Sequence, residues 1–468
     1  MNKLFRFWNV SLVYGVGYML VRALSFLLLP LYTNLLSVND AGIVFLFYTI
    51  LAFLNTLYNH GMDSALLKFF NSHNHKTIIT SSLIYSFCGS CVFSLLLILI
   101  YHIVGFNHMF SETEITPFLI YYLCAILLFD MVSSRAMNIL RLIERPYYYF
   151  AVSFVSVFVS FFCNYYYIGV VGCGVSGVFL SLLIASCVQF ALLLPIIAIN
   201  FNLSYFSLAV LKKMFFFALP FFPASVFFVL IEMSDRWMLG WLGSMEDIGL
   251  YGAGYKVGSL VLMVVLAFNL NWQPFYLKKN QTNHSLETVG NLFLIILIFI
   301  TTCLSCLWPI LIKINVFDFY IVGKSFWLAG RIIPVVAISY LFYGVFILQM
   351  PAIYIKNKQK WIPFIWGFGL LVNFTSNYFL IQKFGFVGAA YSTLLTYLSM
   401  SIFIIFKSRV WLPLLYDYTK ILKMAFFSFM IYIVLLYFND LYITSIGLFL
   451  YAFLIFTTFK SSFKITHE

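Results

Sequence analysis

The chain has 468 residues, of which 63% are hydrophobic and 9% are charged, and its formal net charge is +12. Soluble domains carry about 25% charged residues, so this composition excludes a water-soluble globular protein. Basic residues stand singly between apolar runs instead of forming one stripe, which excludes a nucleic-acid-binding surface as the reason for the positive charge and indicates no nucleic-acid partner.

Apolar runs of membrane-spanning length recur along the whole sequence. A run of about 18 residues or more crosses a hydrocarbon core of about 30 Å as a helix. The first run is longer than the core of a signal peptide, so we interpret it as a span. We predict an all-α integral membrane protein with about 14 transmembrane helices, near 10–31, 42–66, 78–101, 116–134, 147–168, 175–199, 214–239, 250–275, 289–312, 331–355, 361–381, 386–406, 420–438 and 441–459.

The distribution of Lys and Arg predicts the orientation of these spans. Most basic residues fall on alternate loops, and the positive-inside rule makes that side cytoplasmic. Both termini are then cytoplasmic, and the expected location is the inner (plasma) membrane. All loops are short, so no soluble domain fits between spans, and the function is expected inside the membrane.

Two parts of the chain repeat each other. Ser37, Asp40 and Gly42 reappear as the triplet Ser244, Asp247 and Gly249 at an offset of 207. A second match joins Asn164-Tyr165 to Asn377-Tyr378. We predict a six-helix lobe in 1–200, a second in 201–410 and two additional helices in 411–468. Because each repeat holds an even number of spans, the copies have the same orientation and are expected to enclose a central cavity.

Charged side chains inside the predicted spans are candidates for function. One such residue at mid-bilayer costs about 3 kcal/mol on insertion scales, so it needs a partner or a cavity. Asn55, Asn59 and Asp63 are spaced by four and share one helix face. The charged candidates are Arg22, Asp63, Asp130, Glu232, Asp235, Arg236 and Lys256.

Each candidate also has a structural interpretation. For Asp63 the favoured one is an ion pair with Lys68, and for Asp130 it is an ion pair with Arg135 or a loop cap.

The remaining candidates differ in how well a structural interpretation fits them. Asp235, Arg236 and Lys256 fit a structural ion cluster as well as a binding site. Arg22 has no partner on its own helix, which favours a position lining the cavity.

Several kinds of chemistry are not indicated. Gly323-Lys324-Ser325 lacks the first glycine of a phosphate-binding loop, because Asp318 stands there. The two C-x-x-C pairs lie inside apolar spans without a nearby His or carboxylate, which favours packing over metal binding. We therefore predict no catalytic residues, no metal and no cofactor, and a protein that is not an enzyme.

A set of short motifs covers nearly the whole chain. They are Arg22–Pro30, Gly61–Ala65, Ala218–Pro220, Asp235–Gly240, Gly249 with Tyr251, Trp272–Phe275 and Gly385–Ala390. In this order they resemble the polysaccharide-flippase branch of the multidrug, oligosaccharidyl-lipid and polysaccharide exporter superfamily. The resemblance implies two six-helix lobes in a V around a central cavity that opens alternately to each side. It also implies that the substrate is an O-antigen, capsule or similar unit on an undecaprenyl diphosphate carrier.

This resemblance assigns expected roles to the candidates. The residues expected to bind substrate in the cavity are Arg22, Asn55, Asn59, Arg236 and Lys256, since a diphosphate in a membrane needs cations. The residues expected to couple transport to an ion gradient are Asp63, Glu232 and Asp235. Expected partners are the lipid-linked oligosaccharide, membrane lipids and other polysaccharide assembly proteins.

Two alternatives stay open from the sequence. A drug or organic-cation exporter of the same superfamily would depend on buried carboxylates more than on cations. An outer-face polysaccharide polymerase or glycosyltransferase would need external acidic residues, and Glu112-Thr113-Glu114 is the external candidate.

Overall fold

The structure is a computed structural model that describes residues 26–70, 74–104, 117–277, 282–316, 318–438 and 446–452. Its internal contacts divide the chain into two compact units, Met1–Gly249 and Leu250–Glu468. The lobe boundaries predicted at 200 and 410 remain a prediction. They divide the chain into sets of spans around a cavity, whereas the two units are defined by their internal contacts.

The described part of the first unit is helical. Its α-helices in chain order are α1 Leu28–Leu35, α2 Val38–Asn59, α3 Met62–Phe69, α4 His75–Val104, α5 Pro117–Leu142, α6 Pro146–Asn164, α7 Gly174–Asn200, α8 Leu208–Ala218, α9 Phe222–Leu242 and α10 Met245–Gly258, the last of which continues into the second unit. A π-helical segment, Tyr165–Val170, extends α6, and 3-10 turns occupy Leu203–Tyr205 and Leu219–Phe221.

The second unit is also mainly helical. Its further α-helices are α11 Leu260–Tyr276, α12 Asn283–Leu311, α13 Ile333–Leu348, α14 Met350–Ile355, α15 Ile362–Phe384, α16 Phe386–Trp411 and α17 Tyr418–Phe438. A two-stranded antiparallel hairpin pairs β1 Asn315–Val316 with β2 Phe319–Tyr320. The 3-10 segments Lys324–Ile332 and Gln359–Trp361 precede α13 and α15.

The described helices confirm the all-α membrane fold class. Among the described residues, 9 helices are long and apolar enough to span a membrane, and the pair α10 and α11, bent by 45°, would make a tenth span. They correspond to predicted spans two to six and eight to twelve. Predicted spans one and fourteen lie largely outside the described residues. Span seven consists of α8, a 3-10 turn and α9, and span thirteen corresponds to α17.

Predicted span two is not one continuous helix. His60 and Gly61 both have left-handed backbone conformations, with φ of 47° and 73°. This conformation ends α2 at Asn59 and allows α3 to begin at Met62. Glycine adopts it without steric cost, whereas His60 needs support from its surroundings. The break separates Asp63, on α3, from Asn55 and Asn59, on α2.

The repeated Ser-Asp motif forms the same helix cap twice. Ser37 accepts a hydrogen bond from the backbone N–H of Asp40 at 3.1 Å, before α2. Ser244 accepts one from the N–H of Asp247 at 3.1 Å, before α10. A serine in this position satisfies a backbone donor that has no partner within the helix. The sequence match is therefore also a match of local structure.

The repeated glycine brings these two capped ends together. A Cβ on Gly42 would lie 2.0 Å from the carbonyl oxygen of Met245, and a Cβ on Gly249 would lie 2.1 Å from that of Val38. The contact is reciprocal, because Val38 and Met245 are separated by the same offset of 207 as the two glycines. The repeat thus fixes a backbone-to-backbone contact within the first unit.

Two apolar clusters in the first unit hold its helices in place. One cluster joins α2, α5 and α7 through Phe47, Leu51, Leu127 and Phe179. The other joins α3, α4, α5 and α8 and includes Leu66 and Ile139. Because α5 packs into both clusters, its remaining face points toward the space between α2, α6 and α7.

Candidate substrate-binding cavity

A cavity of about 860 Å³ lies within the first unit, between α2, α3, α5, α6, α7 and α9. This volume is within the range of sites that bind small molecules, about 300 to 1,000 Å³. Most of its polar wall consists of amides and hydroxyls. These uncharged polar residues are Asn55, Thr56, Asn59, Ser64, Ser134, Asn138, Tyr149, Ser153, Ser156, Gln189 and Ser225.

Helical periodicity explains how α5 builds one wall of this cavity. Asp130, Ser134, Asn138 and Arg141 are separated by four, four and three residues, and all of them line the cavity. Residues at this spacing lie on one face of a helix. Apolar residues between them, such as Val132 and Ile139, face one of the clusters described above.

The opposite faces of α6 separate the cavity from the lipid side. Phe154, Phe158 and Phe162 are exposed at helical spacing, and neighbouring ring centroids lie 6.0 and 4.3 Å apart. Ser153 and Ser156 lie on the cavity side. An exposed aromatic row suits contact with lipid acyl chains, since it needs no hydrogen-bond partner in an apolar solvent. This arrangement orients the polar face of α6 inward.

An ion pair between the buried Arg135 of α5 and the partly exposed Asp63 of α3 lies beside the cavity. Arg135 is 1% exposed, and its Nη1 donates to Asp63 Oδ1 at 2.5 Å. Its Nη2 donates to Asn59 Oδ1 at 2.7 Å and its Nε donates to Ser86 Oγ at 2.9 Å. Asn138 Nδ2 also donates to Asp63 Oδ1, at 2.7 Å. A buried charge needs this degree of satisfaction, because burying an unpaired charge costs several kcal/mol.

Two predicted ion pairs are wrong. Asp63 pairs with Arg135 instead of Lys68, whose ammonium lies over the ring of Phe217 at 4.2 Å from its centroid. Arg135 is therefore already paired and is not the partner of Asp130. The reason is that Arg135 lies 72 residues from Asp63 in sequence, and only the packing of α3 on α5 brings them together.

Asp130 has neutral hydrogen-bond partners. Its Oδ1 accepts from Ser186 Oγ at 2.7 Å, and the side chain of Asn55 also hydrogen-bonds to its carboxylate. No basic residue of the described ranges forms an ion pair with it. Among the described residues, the carboxyl group that Asp130 gives to the cavity wall therefore has neutral hydrogen-bond partners and no ion-pair partner.

The structure brings some predicted site residues together and not others. Asn55 and Asn59 line the cavity from α2, and Asp63 lines it from α3, beyond the break at His60 and Gly61. The three residues therefore do not share the one continuous helix face that their spacing predicted. Glu232, Asp235 and Arg236 are buried on α9 and are not part of its lining. Arg236 Nη1 donates to the carbonyl oxygen of Glu232 at 3.2 Å.

The other two predicted cations are Lys256 and Arg22. Lys256 belongs to the second unit, on α10. Arg22 lies outside the described residues. The roles predicted for these cations stay predictions.

Sequence reasoning missed several cavity residues. Asn138, Arg141, Tyr149 and Gln189 line the cavity and were not among the site candidates. A signal was present on α5, where polar residues recur with helical spacing from Asp130 to Arg141. Gln189 stands alone in an apolar run, so only the structure identifies it. Ser156 Oγ donates to its Oε1 at 3.1 Å, and its Nε2 has no hydrogen-bond partner in the described part of the chain.

Comparison with known proteins agrees with this fold. The sequence model of a family described as "Polysaccharide biosynthesis protein" matches residues 7–275. No curated protein matches the chain in sequence.

Solved structures match over most of their length. "Lipid II flippase MurJ, inward closed conformation" has a TM-score of 0.75 at 14% identity, covering 97% of this chain and 99% of that chain. An inward-facing multidrug resistance MATE family transporter of the MOP superfamily has a TM-score of 0.63 at 12% identity, covering 83% and 94%. The Vibrio cholerae MATE transporter VcmN in the bent form has a TM-score of 0.57 at 12% identity, covering 86% and 96%. At these identities the matches show a common fold. The resemblance predicted from the sequence motifs is confirmed, and the chain belongs to the polysaccharide biosynthesis protein family.

Proposed function

We propose that this protein is a flippase that moves undecaprenyl-diphosphate-linked oligosaccharide units from the cytoplasmic to the outer leaflet by alternating access. The observation that carries the proposal is the uncharged polar wall of the cavity in the first unit, in a chain of the polysaccharide biosynthesis family. The MurJ fold, which belongs to a named lipid II flippase, supports it further.

The chemistry of the wall suits a carbohydrate. Sugar hydroxyls both donate and accept hydrogen bonds, and amide and hydroxyl side chains offer both functions. Moving a sugar through a membrane would cost several kcal/mol for each unsatisfied polar group. Asn55, Ser153 and Gln189 would replace water around the sugar while it crosses.

The pairing of Arg135 with Asp63 suits a neutral sugar in the adjacent part of the cavity. The charge of Arg135 is balanced by Asp63, so this pair gives the cavity little net charge. This pairing favours a structural role for Asp63 over the predicted ion coupling. Glu232 and Asp235 keep the coupling role as proposals, and Arg22, Arg236 and Lys256 keep diphosphate binding.

Asp130 favours a second candidate function. A cavity carboxyl group without a basic partner in the described ranges is the feature expected of a drug or organic-cation exporter. Such an exporter would lose transport of cationic dyes when Asp130 is replaced by Asn. A flippase for neutral sugars would keep surface polysaccharide better after this change than after a change in the amide wall.

An outer-face polymerase or glycosyltransferase is the alternative from another class. Its external acidic residues, Glu112 and Glu114, lie outside the described residues. The location in the inner membrane, the cytoplasmic termini and contacts with other polysaccharide assembly proteins are also part of the proposal.

The test is a deletion strain complemented by single variants. Deletion is expected to abolish surface polysaccharide while lipid-linked units accumulate in the cytoplasmic leaflet. Gln189→Leu should restore little polysaccharide. Gln382→Leu, a matched change at an exposed position of α15, should restore it fully. Lipid-linked units that reach the outer leaflet unpolymerised in the deletion strain would show a polymerase instead.

A further inference from the structure

One end of the cavity carries a cation that the predicted site did not include. Arg141 lies in the last turn of α5, is exposed and lines the cavity. Its guanidinium carbon lies 4.7 Å from the ring centroid of Tyr149, and its Nη2 donates to the Tyr149 hydroxyl. Stacking and hydrogen bonding together restrict the guanidinium to one position. Arg141 is therefore a preorganised cation, although it is exposed.

The other charges that border the cavity already have partners. Arg135 and Asp63 neutralise each other, and Asp130 accepts hydrogen bonds from neutral side chains. Within the described ranges, Arg141 forms no ion pair with a carboxylate. Asp130 lies about 16 Å away from it along the axis of α5, at 1.5 Å per residue. The positively charged end of the cavity, at Arg141, is thus separate from the carboxyl group of Asp130.

A guanidinium with unused N–H groups is suited to a phosphate. Arg has five donors, and the tyrosine hydroxyl takes one of them. The remaining donors fit two phosphate oxygens at once, a geometry that lysine does not offer. The neighbouring wall offers Ser153, Ser156 and Gln189, which are neutral partners for hydroxyl groups. An anionic phosphate joined to a polyhydroxylated body matches both parts of this surface.

We propose that Arg141, held by Tyr149, binds the diphosphate of an isoprenoid-linked sugar at the end of the cavity, with the sugar directed along α6 and α7. This inference rests on the proposed function and names a substrate-binding residue for it. An anionic phospholipid headgroup shares the phosphate chemistry but lacks the sugar, so the experiment must separate the two sources.

Binding to the purified full-length protein in phosphatidylcholine nanodiscs tests the proposal. The probes are geranylgeranyl diphosphate, its N-acetylglucosamine conjugate and phosphatidylglycerol. Arg141→Gln should weaken binding of both diphosphates by about tenfold or more, the loss of two charge-assisted hydrogen bonds. Arg141→Lys should lose less, because the charge is kept. Tyr149→Phe should weaken binding less than Arg141→Gln, because it keeps the ring.

Arg145→Gln is the matched control, since Arg145 is also exposed and precedes α6 but does not line the cavity. It should leave diphosphate binding unchanged. Equal weakening by Arg145→Gln would show diffuse surface electrostatics and overturn the proposal. Phosphatidylglycerol that competes as well as the diphosphates would also overturn it, since the site would then belong to bulk lipid. Transport by the wild-type protein is scored separately in cells. If the wild type transports and Arg141→Gln binds normally, only this inference fails.

Discussion

The reciprocal contact at Gly42 and Gly249 offers a sharp test of the first unit's packing. A Cβ on Gly42 would stand 2.0 Å from a backbone carbonyl oxygen, where real Cβ atoms keep at least 3.0 Å. No side-chain rotation relieves this clash, because the opposing atom is backbone. The N termini of α2 and α10 would have to separate by about 1 Å or more.

The expected cost follows from two opposing effects. Overpacking of this kind costs about 1 to 3 kcal/mol. Alanine gains about 1 kcal/mol over glycine in helix propensity, which offsets part of that cost. We therefore expect Gly42→Ala to destabilise the protein by up to about 2 kcal/mol, and Gly249→Ala to do the same.

Gly89→Ala is the control for helix propensity alone. Gly89 lies within α4, and a Cβ there would meet no atom within 4 Å. The assay is thermal unfolding of the purified protein in detergent. The apparent Tm should fall for both contact glycines and stay unchanged or rise for Gly89→Ala. The double variant should lose less than the sum, because the first change already separates the helices. Gly42→Ala that is as stable as Gly89→Ala would refute the close contact.

Three further predictions address the ion pair, the first span and the topology. Asp63→Asn should lower the free energy of unfolding by about 3 kcal/mol, because it leaves the buried Arg135 without its counter-charge. Lys68→Gln should have little effect. Thermal unfolding compares the two variants, and equal losses of stability would contradict the pairing of Asp63 with Arg135. The Arg22→Ala protein should insert into the membrane normally but lose transport, whereas Arg22→Lys should keep part of it. The measurement is complementation per amount of inserted protein. Normal transport by Arg22→Ala would refute a role in the cavity. Reporter fusions should indicate the outside after three positions and the cytoplasm after three others, and any exchanged pair would contradict the span count. The outside positions are Asn39, Asn107 and Glu246, and the cytoplasmic positions are His73, Arg141 and Lys279.

Much of the helical framework could be predicted from the sequence, because the bilayer imposes a minimum length on every apolar run. The repeated Ser-Asp caps were visible for a similar reason, since a cap depends on residues three positions apart. The break at His60 was not visible, because a histidine with positive φ is set by its surroundings and not by its own preference.

The candidate site was only partly predictable. The shared face of Asn55 and Asn59 follows from helical spacing, whereas Asp63 lies on α3 beyond the break at His60. The partner of Asp63 does not, because Arg135 comes from a distant part of the chain and competes with the nearer Lys68. The cavity position of Gln189 likewise depends on how α7 is rotated against α5, which tertiary packing determines.

A reconstituted assay tests most directly whether this protein moves a lipid-linked sugar across a bilayer. The purified protein is placed in liposomes with an undecaprenyl-diphosphate-linked oligosaccharide, and an impermeant glycosidase added outside reports the accessible fraction. With the lipid initially in the inner leaflet, we expect the sugar to become accessible with the wild-type protein, and to do so much more slowly with Gln189→Leu. Accessibility that stays at the level of protein-free liposomes, in vesicles where the protein is folded and inserted, would contradict the proposed function.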